Sequence, residues 1–132
     1  MSGILINFSG HALSRDAQNI LSSQYDEIID TPYFEFDFSG DTQSQLSDLI
    51  DTIPITLDGS RPIAIIPPGQ STLAILLVSF IHGMIGHFPR LCYLEVSESG
   101  VYLPRFEYQI AVQAVRSAGR KYRSKMLRDT SN

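Results

Sequence analysis

Two short loops carry the residue types suited to holding an anion. The first, Asn7-Phe8-Ser9-Gly10-His11, closes the apolar run that starts at Ile4; the second, Pro67-Pro68-Gly69-Gln70-Ser71-Thr72, follows the uncharged run Ile63 to Ile66. In the second loop Gly69 permits close backbone approach, and the amides of Gln70, Ser71 and Thr72 open a helix whose positive end favours phosphate. The hydroxyls of Ser71 and Thr72 can add hydrogen bonds, the alternative being that one of them only caps the helix. This loop has neither the lysine of a Walker loop nor the three glycines of a dinucleotide-binding turn.

His11 offers an imidazole able to donate to a phosphate or act as a base, or else to serve as an ordinary loop histidine bonded to backbone. No glycine-flanked elbow surrounds Ser9, which argues against a serine-hydrolase triad. His82 and His87 are five residues apart, so a helix does not bring them onto one face as a spacing of four would. With a single cysteine and scattered carboxylates, no metal site and no cofactor is expected. These two histidines fit better as helix-end groups or as part of a dimer seam.

Near the end of the chain, Arg116, Arg120 and Arg123 form one stripe, while Lys121, Lys125 and Arg128 lie almost opposite at 100° per residue. Cations near a helix C-terminus suit its dipole; RNA contact or a lid over a ligand are the alternatives. Arg105, ahead of this helix, is a separate candidate for reaching a ligand.

The elements that must position these residues follow from periodicity. Ile4 to Phe8 reads as a strand, followed by a helix that Ser14 caps and that places Ala17, Ile20 and Leu21 at core spacing. Glu27 to Phe38 reads as extended, with a bend at Pro32 and a period-two aromatic alternation from Tyr33 to Phe38 that predicts a half-buried strand. Asp41 opens a helix with Leu46, Leu49, Ile50 and Ile53 on one stripe, closed by Pro54. Ile63 to Ile66 lacks polar alternation, as a parallel strand covered on both faces does. The helix after Gly69 is apolar nearly all round from Leu73 to Ile85, which predicts a homodimer interface in addition to the sheet contact. Leu91 to Val96 predicts another strand, with a turn at Ser99-Gly100 and an extended piece at Val101 to Leu103. A long helix beyond Pro104 carries Phe106, Ile110, Ala114, Ala118 and Tyr122 on one face.

Strands alternating with helices predict one α/β domain over residues 1–128, Rossmann-like, with a mostly parallel sheet and helices on both faces, and a disordered tail at 129–132. In such sheets ligands bind beyond the carboxyl ends of the strands where strand order reverses, and both polar loops lie at such ends.

The composition agrees. Among 132 residues, 43% hydrophobic and 18% charged describe a globular chain. Cys92, the only cysteine, sits in an apolar run and predicts a buried strand residue in a reducing compartment. The first residues show no basic region with a long apolar stretch, so a cytoplasmic location is expected. The uncharged stretch Pro62 to Ile85 approaches membrane-spanning length but is broken at Pro67-Pro68-Gly69, which predicts a soluble strand-turn-helix. The net charge is −4, and the first sixty residues hold ten acids against Arg15 alone. That balance argues against a general nucleic-acid binder, DNA included.

Taken together, Ile4-Leu5-Ile6-Asn7-Phe8-Ser9-Gly10-His11, Pro67-Pro68-Gly69-Gln70-Ser71, the run His82 to Arg90, and Arg105-Phe106-Glu107 before an arginine-rich helix resemble the small stand-alone CARF-like accessory proteins of type III CRISPR systems. The resemblance touches nearly the whole chain. It implies binding of a cyclic oligoadenylate, most naturally cyclic tetra-adenylate, in a pocket across the two-fold axis of a homodimer. Carried over by position, the binding residues are Ser9, Gly10, His11, Gly69, Gln70, Ser71 and Thr72, with Arg105. The loops supply binding groups but no clear acid and base pair, which favours sequestration of the messenger and lowered type III signalling. A metal-independent ring nuclease, in which a ribose 2′-hydroxyl attacks the adjacent phosphate and amides or His11 stabilise the charge, is the rival reading. A scaffold that uses the basic helix to hold RNA or an effector is the third.

Overall fold

Ile4, Leu5, Ile6 and Asn7 form β1 (Ile4–Asn7), and all four are buried. A run with no solvent-facing position is what an interior strand of a parallel sheet requires, and β3 (Ile63–Ile66) repeats the pattern. In the computed structural model, which describes residues 3–104 and 111–130, these two strands sit side by side at the centre of a four-stranded sheet. β2 (Glu27–Asp30) lies outside β1 and the two-residue β4 (Arg90–Leu91) outside β3, giving the order β2-β1-β3-β4 with every pairing parallel. The register sets Asn7 opposite both Asp30 and Ile66.

Helices cover both faces, as the chain's alternation of strand and helix predicts. Ser14 caps α1 (Arg15–Ser22), its hydroxyl accepting from the Ala17 amide at 3.1 Å. Ala17 and Leu21 turn inward, and Leu21 joins Leu5, Ala64, Ile66 and Cys92 in the core of that face. Asp41 caps α2 (Thr42–Asp51), and the Ser44 amide donating to its carboxylate holds the Asp41 pKa below its ordinary value. Leu46, Leu49 and Ile53 then pack on the opposite face with Ile4, Ile6, Ile63 and Ile65.

The same face carries α3 (Ser71–Ile85), which turns Leu73, Leu77, Ile81 and Ile85 into the core at steps of four. Leu77 is wholly buried, and Leu77→Ala removes packed methyl groups at a cost of about 2–5 kcal/mol. Gly86, left-handed at φ 83°, ends this helix by donating its amide to the His82 carbonyl. Leu76, Val78, Phe80 and Met84 are half-buried against the same core, so intrachain packing absorbs most of the apolar surface of α3. Ile75, 68% exposed, is the large apolar side chain it turns to solvent.

Three expected elements differ from the sequence reading. Tyr33 to Asp37 alternates in burial as anticipated, but Phe38 is exposed and the segment joins no strand ladder. Pro32 lacks the amide a ladder needs, and beyond β2 the three phenylalanines pack against one another at steep angles, Phe36 and Phe38 edge to face with ring centroids 4.7 Å apart. The expected strand Leu91 to Val96 is broken at Cys92 and Tyr93. β4 stays with the parallel sheet, while β5 (Leu94–Val96) turns away to form an antiparallel hairpin with β6 (Tyr102–Pro104). Its turn contains Gly100 at φ 83°, after the Ser99 of the anticipated pair. The last helix, α4 (Val112–Thr130), begins later than its periodicity suggested; Phe106 and Ile110 lie outside the described residues. Among the described residues no helix is long and apolar enough to cross a membrane.

Candidate ligand-binding site

At the carboxyl ends of β1 and β3 the chain departs to opposite faces, toward α1 from β1 and toward α3 from β3. Loops leaving adjacent parallel strands in opposite directions must open a crevice between them. A cleft of about 810 Å³ lies there, lined by Ser9, His11, Pro67, Pro68 and Gly69 from the two loops, and by Cys92, Tyr93, Leu94 and Tyr102 from the strand exit and the hairpin. A second cleft of about 220 Å³ lies on the β2 side, with Ser9, Gly10, Gly69 and Gln70 facing Tyr33 and Phe34. Ser9, Pro68 and Gly69 line both.

The first loop is shaped by Asn7, a polar side chain only 1% exposed at the end of β1. Its amide nitrogen donates to the His11 carbonyl at 2.8 Å and to Asp30 Oδ1 at 2.9 Å. Its oxygen accepts from the Ser9 amide at 3.0 Å and the Ser9 hydroxyl at 2.6 Å. The Asn7 carbonyl takes the Thr31 amide and hydroxyl. Ser9 Oγ also accepts from the His11 amide at 3.2 Å. Ser9 is therefore first a brace of the loop. Gly10 occupies its turn at φ 79°, where an added Cβ would also come within 3.2 Å of the Tyr33 ring.

In the second loop the helix cap is Gln70, not Ser71 or Thr72: its side-chain oxygen accepts from the Leu73 amide at 2.7 Å. Among the described residues, nothing accepts from the amides of Ser71 and Thr72, which are left to solvent or a ligand. Gly69 takes no positive φ, and a Cβ there would meet nothing within 4 Å. What Gly69 contributes is open space over the cleft rather than an unusual backbone turn.

Of the candidate residues, Ser9, His11 and Gly69 meet in the larger cleft, while Ser9, Gly10, Gly69 and Gln70 meet in the smaller. Ser71 and Thr72 are exposed on the first turn of α3 and line neither. Arg105 lies outside the described residues. Among those described, neither cleft is lined by lysine or arginine. Arg61 sits at the opposite, amino edge of the sheet, 2.9 Å from Glu27 and 3.9 Å from Asp26. Arg116, Arg120 and Arg123 are exposed on α4.

Burial pushes the Cys92 thiol up to about 11. A neutral thiol is a weak nucleophile and a weak metal ligand, so Cys92 lines the cleft as an apolar wall. Among the described residues no cluster of three histidine, cysteine or carboxylate groups could hold a metal ion. His82 stacks beside Phe88, ring centroids 4.2 Å apart, at the far end of α3.

Asn7 and the tyrosines of the clefts were not among the residues singled out from the sequence. A polar residue closing an otherwise apolar four-residue strand was the available signal for Asn7. Tyr93 and Tyr102 gave none, because nothing local places the anticipated strand, turn and extended piece beside the cleft. Compared with models of protein families, with curated proteins and with solved structures, the chain matches none.

Proposed function

We propose that this protein binds a nucleotide-type messenger at the carboxyl edge of its sheet and withholds it from other receptors. The observation that carries this reading is the meeting of Ser9 and His11 with Pro67, Pro68 and Gly69 around the larger crevice between β1 and β3. Cyclic tetra-adenylate is the specific ligand we propose, and type III CRISPR signalling the setting, following the family resemblance. A ring of two-fold symmetry suits a homodimer, with α3 and its exposed Ile75 at the seam.

Sequestration is favoured over catalysis by the lining: His11 stands in a cleft whose other walls are mainly apolar, and the neighbouring thiol is held neutral. A ring nuclease is the second reading, supported by the position of His11 next to Ser9. Incubating the protein with labelled ring in excess separates the two. Capture of intact ligand supports sequestration; linear products ending in a cyclic phosphate, lost on His11→Ala with affinity kept, support the nuclease.

A further inference from the structure

The two clefts are not independent. They share Ser9, Pro68 and Gly69 as a common ridge, and each is lined by tyrosine, Tyr33 in the smaller and Tyr93 and Tyr102 in the larger. Both rings are well exposed, 74% for Tyr33 and 60% for Tyr102, although phenolic rings are ordinarily half-buried or better. Tyr33 lies against Gly10, which leaves no Cβ between the ring and the loop. Tyr102 is held at the start of α1, where the Ser14 hydroxyl donates to its carbonyl at 3.4 Å. Two exposed aromatic rings on either side of a shared ridge of Ser9, Pro68 and Gly69 suit a ligand with two planar groups joined by a short link.

We infer that each protomer takes two adjacent purine bases of its ligand, one against Tyr33 in the smaller cleft and one against Tyr102 in the larger, with the phosphodiester between them crossing the Ser9–Gly69 ridge. This inference rests on the function proposed above and goes further by assigning the bases. Stacking needs only the ring face, so the phenol hydroxyl is dispensable. A mononucleotide fills one cleft and leaves the other empty.

The test is equilibrium binding of cyclic tetra-adenylate to the full chain and to Tyr33→Ala, Tyr33→Phe, Tyr102→Ala and Tyr102→Phe, with thermal unfolding of each. Both side chains are exposed, so all four variants are expected to unfold at the wild-type temperature. Each alanine variant is expected to bind about tenfold more weakly or worse, as loss of one stacked base does, and each phenylalanine variant to bind as wild type does. Ring binding that is unchanged in either alanine variant would overturn the two-base assignment while leaving the binding function standing. Failure of the wild-type protein to bind the ring would overturn both.

Discussion

The Ser9 hydroxyl donates to the Asn7 side-chain oxygen at 2.6 Å, and the amide group of the same Asn7 reaches the His11 carbonyl at 2.8 Å, so one buried side chain ties down both ends of the first loop. A buried amide with all its groups satisfied is a specific device: its partners have no water to turn to if it is removed. Asn7→Ala is expected to destabilise the fold by about 1–3 kcal/mol, read as a lower urea midpoint with an unchanged slope. Ligand affinity is expected to fall as well, because Ser9 and His11 lose their fixed positions.

The two loop glycines should behave in opposite ways. Gly10 has φ 79° and a ring at 3.2 Å from its added Cβ, whereas Gly69 has neither constraint. Gly10→Ala is expected to cost about 1–2 kcal/mol of stability. Gly69→Leu is expected to leave the urea midpoint near wild type yet weaken ligand binding severalfold, because its side chain enters the cleft. A stable Gly69→Leu that binds as wild type does would place the ligand elsewhere.

Alkaline pH should destabilise the protein through Cys92. Burial raises its thiol from 9.0 to about 11, so the folded state prefers the protonated form. That contribution is complete below about pH 9 and is lost as pH rises from there toward 11; at 1.36 kcal/mol per unit it amounts to about 2–3 kcal/mol. Tyr25, raised to about 12 by burial with Cys92 nearby, acts in the same direction at higher pH. Urea unfolding at pH 7 to 10.5 should show the loss, and Cys92→Ala should remove most of it. At pH 8 the native thiol should also resist iodoacetamide far better than the unfolded one.

Much of the sheet was legible because a parallel interior strand has an unmistakable sequence: Ile63 to Ile66 has no outward position to spare. The caps at Ser14 and Asp41 were legible for the same kind of reason, since a short oxygen-bearing side chain ahead of an apolar stripe has one good use. Tyr33 to Phe38 misled because period-two burial is a property of any extended segment against a core, whereas a strand also needs a partner for its amides. The strand, turn and extended piece from Leu91 to Leu103 were each legible, but the apolar run Leu91 to Val96 hides the departure from the sheet at Cys92 and Tyr93. The candidate site was legible as two loops, since sheet topology alone places them together. Asn7, which holds one loop, and the tyrosines, which wall the clefts, depended on long-range contacts that no local pattern carries.

The proposed dimer turns on α3. Most of its apolar surface is spent within the chain, and Ile75 is left exposed. Ile75→Arg is expected to give a folded monomer by sedimentation while leaving thermal unfolding of the core intact at low concentration. A wild-type protein that sediments as a monomer, or a variant that stays dimeric, would move the interface away from this helix.

Titrating the purified protein with labelled cyclic tetra-adenylate, and resolving bound, free and cleaved ligand from the same samples, addresses the central claim directly. Saturation at one intact ring per two chains, abolished or sharply weakened by Gly69→Leu, is the result expected of a sequestering dimer whose site is the crevice between β1 and β3. No binding of the ring, or binding that Gly69→Leu leaves untouched, would contradict it.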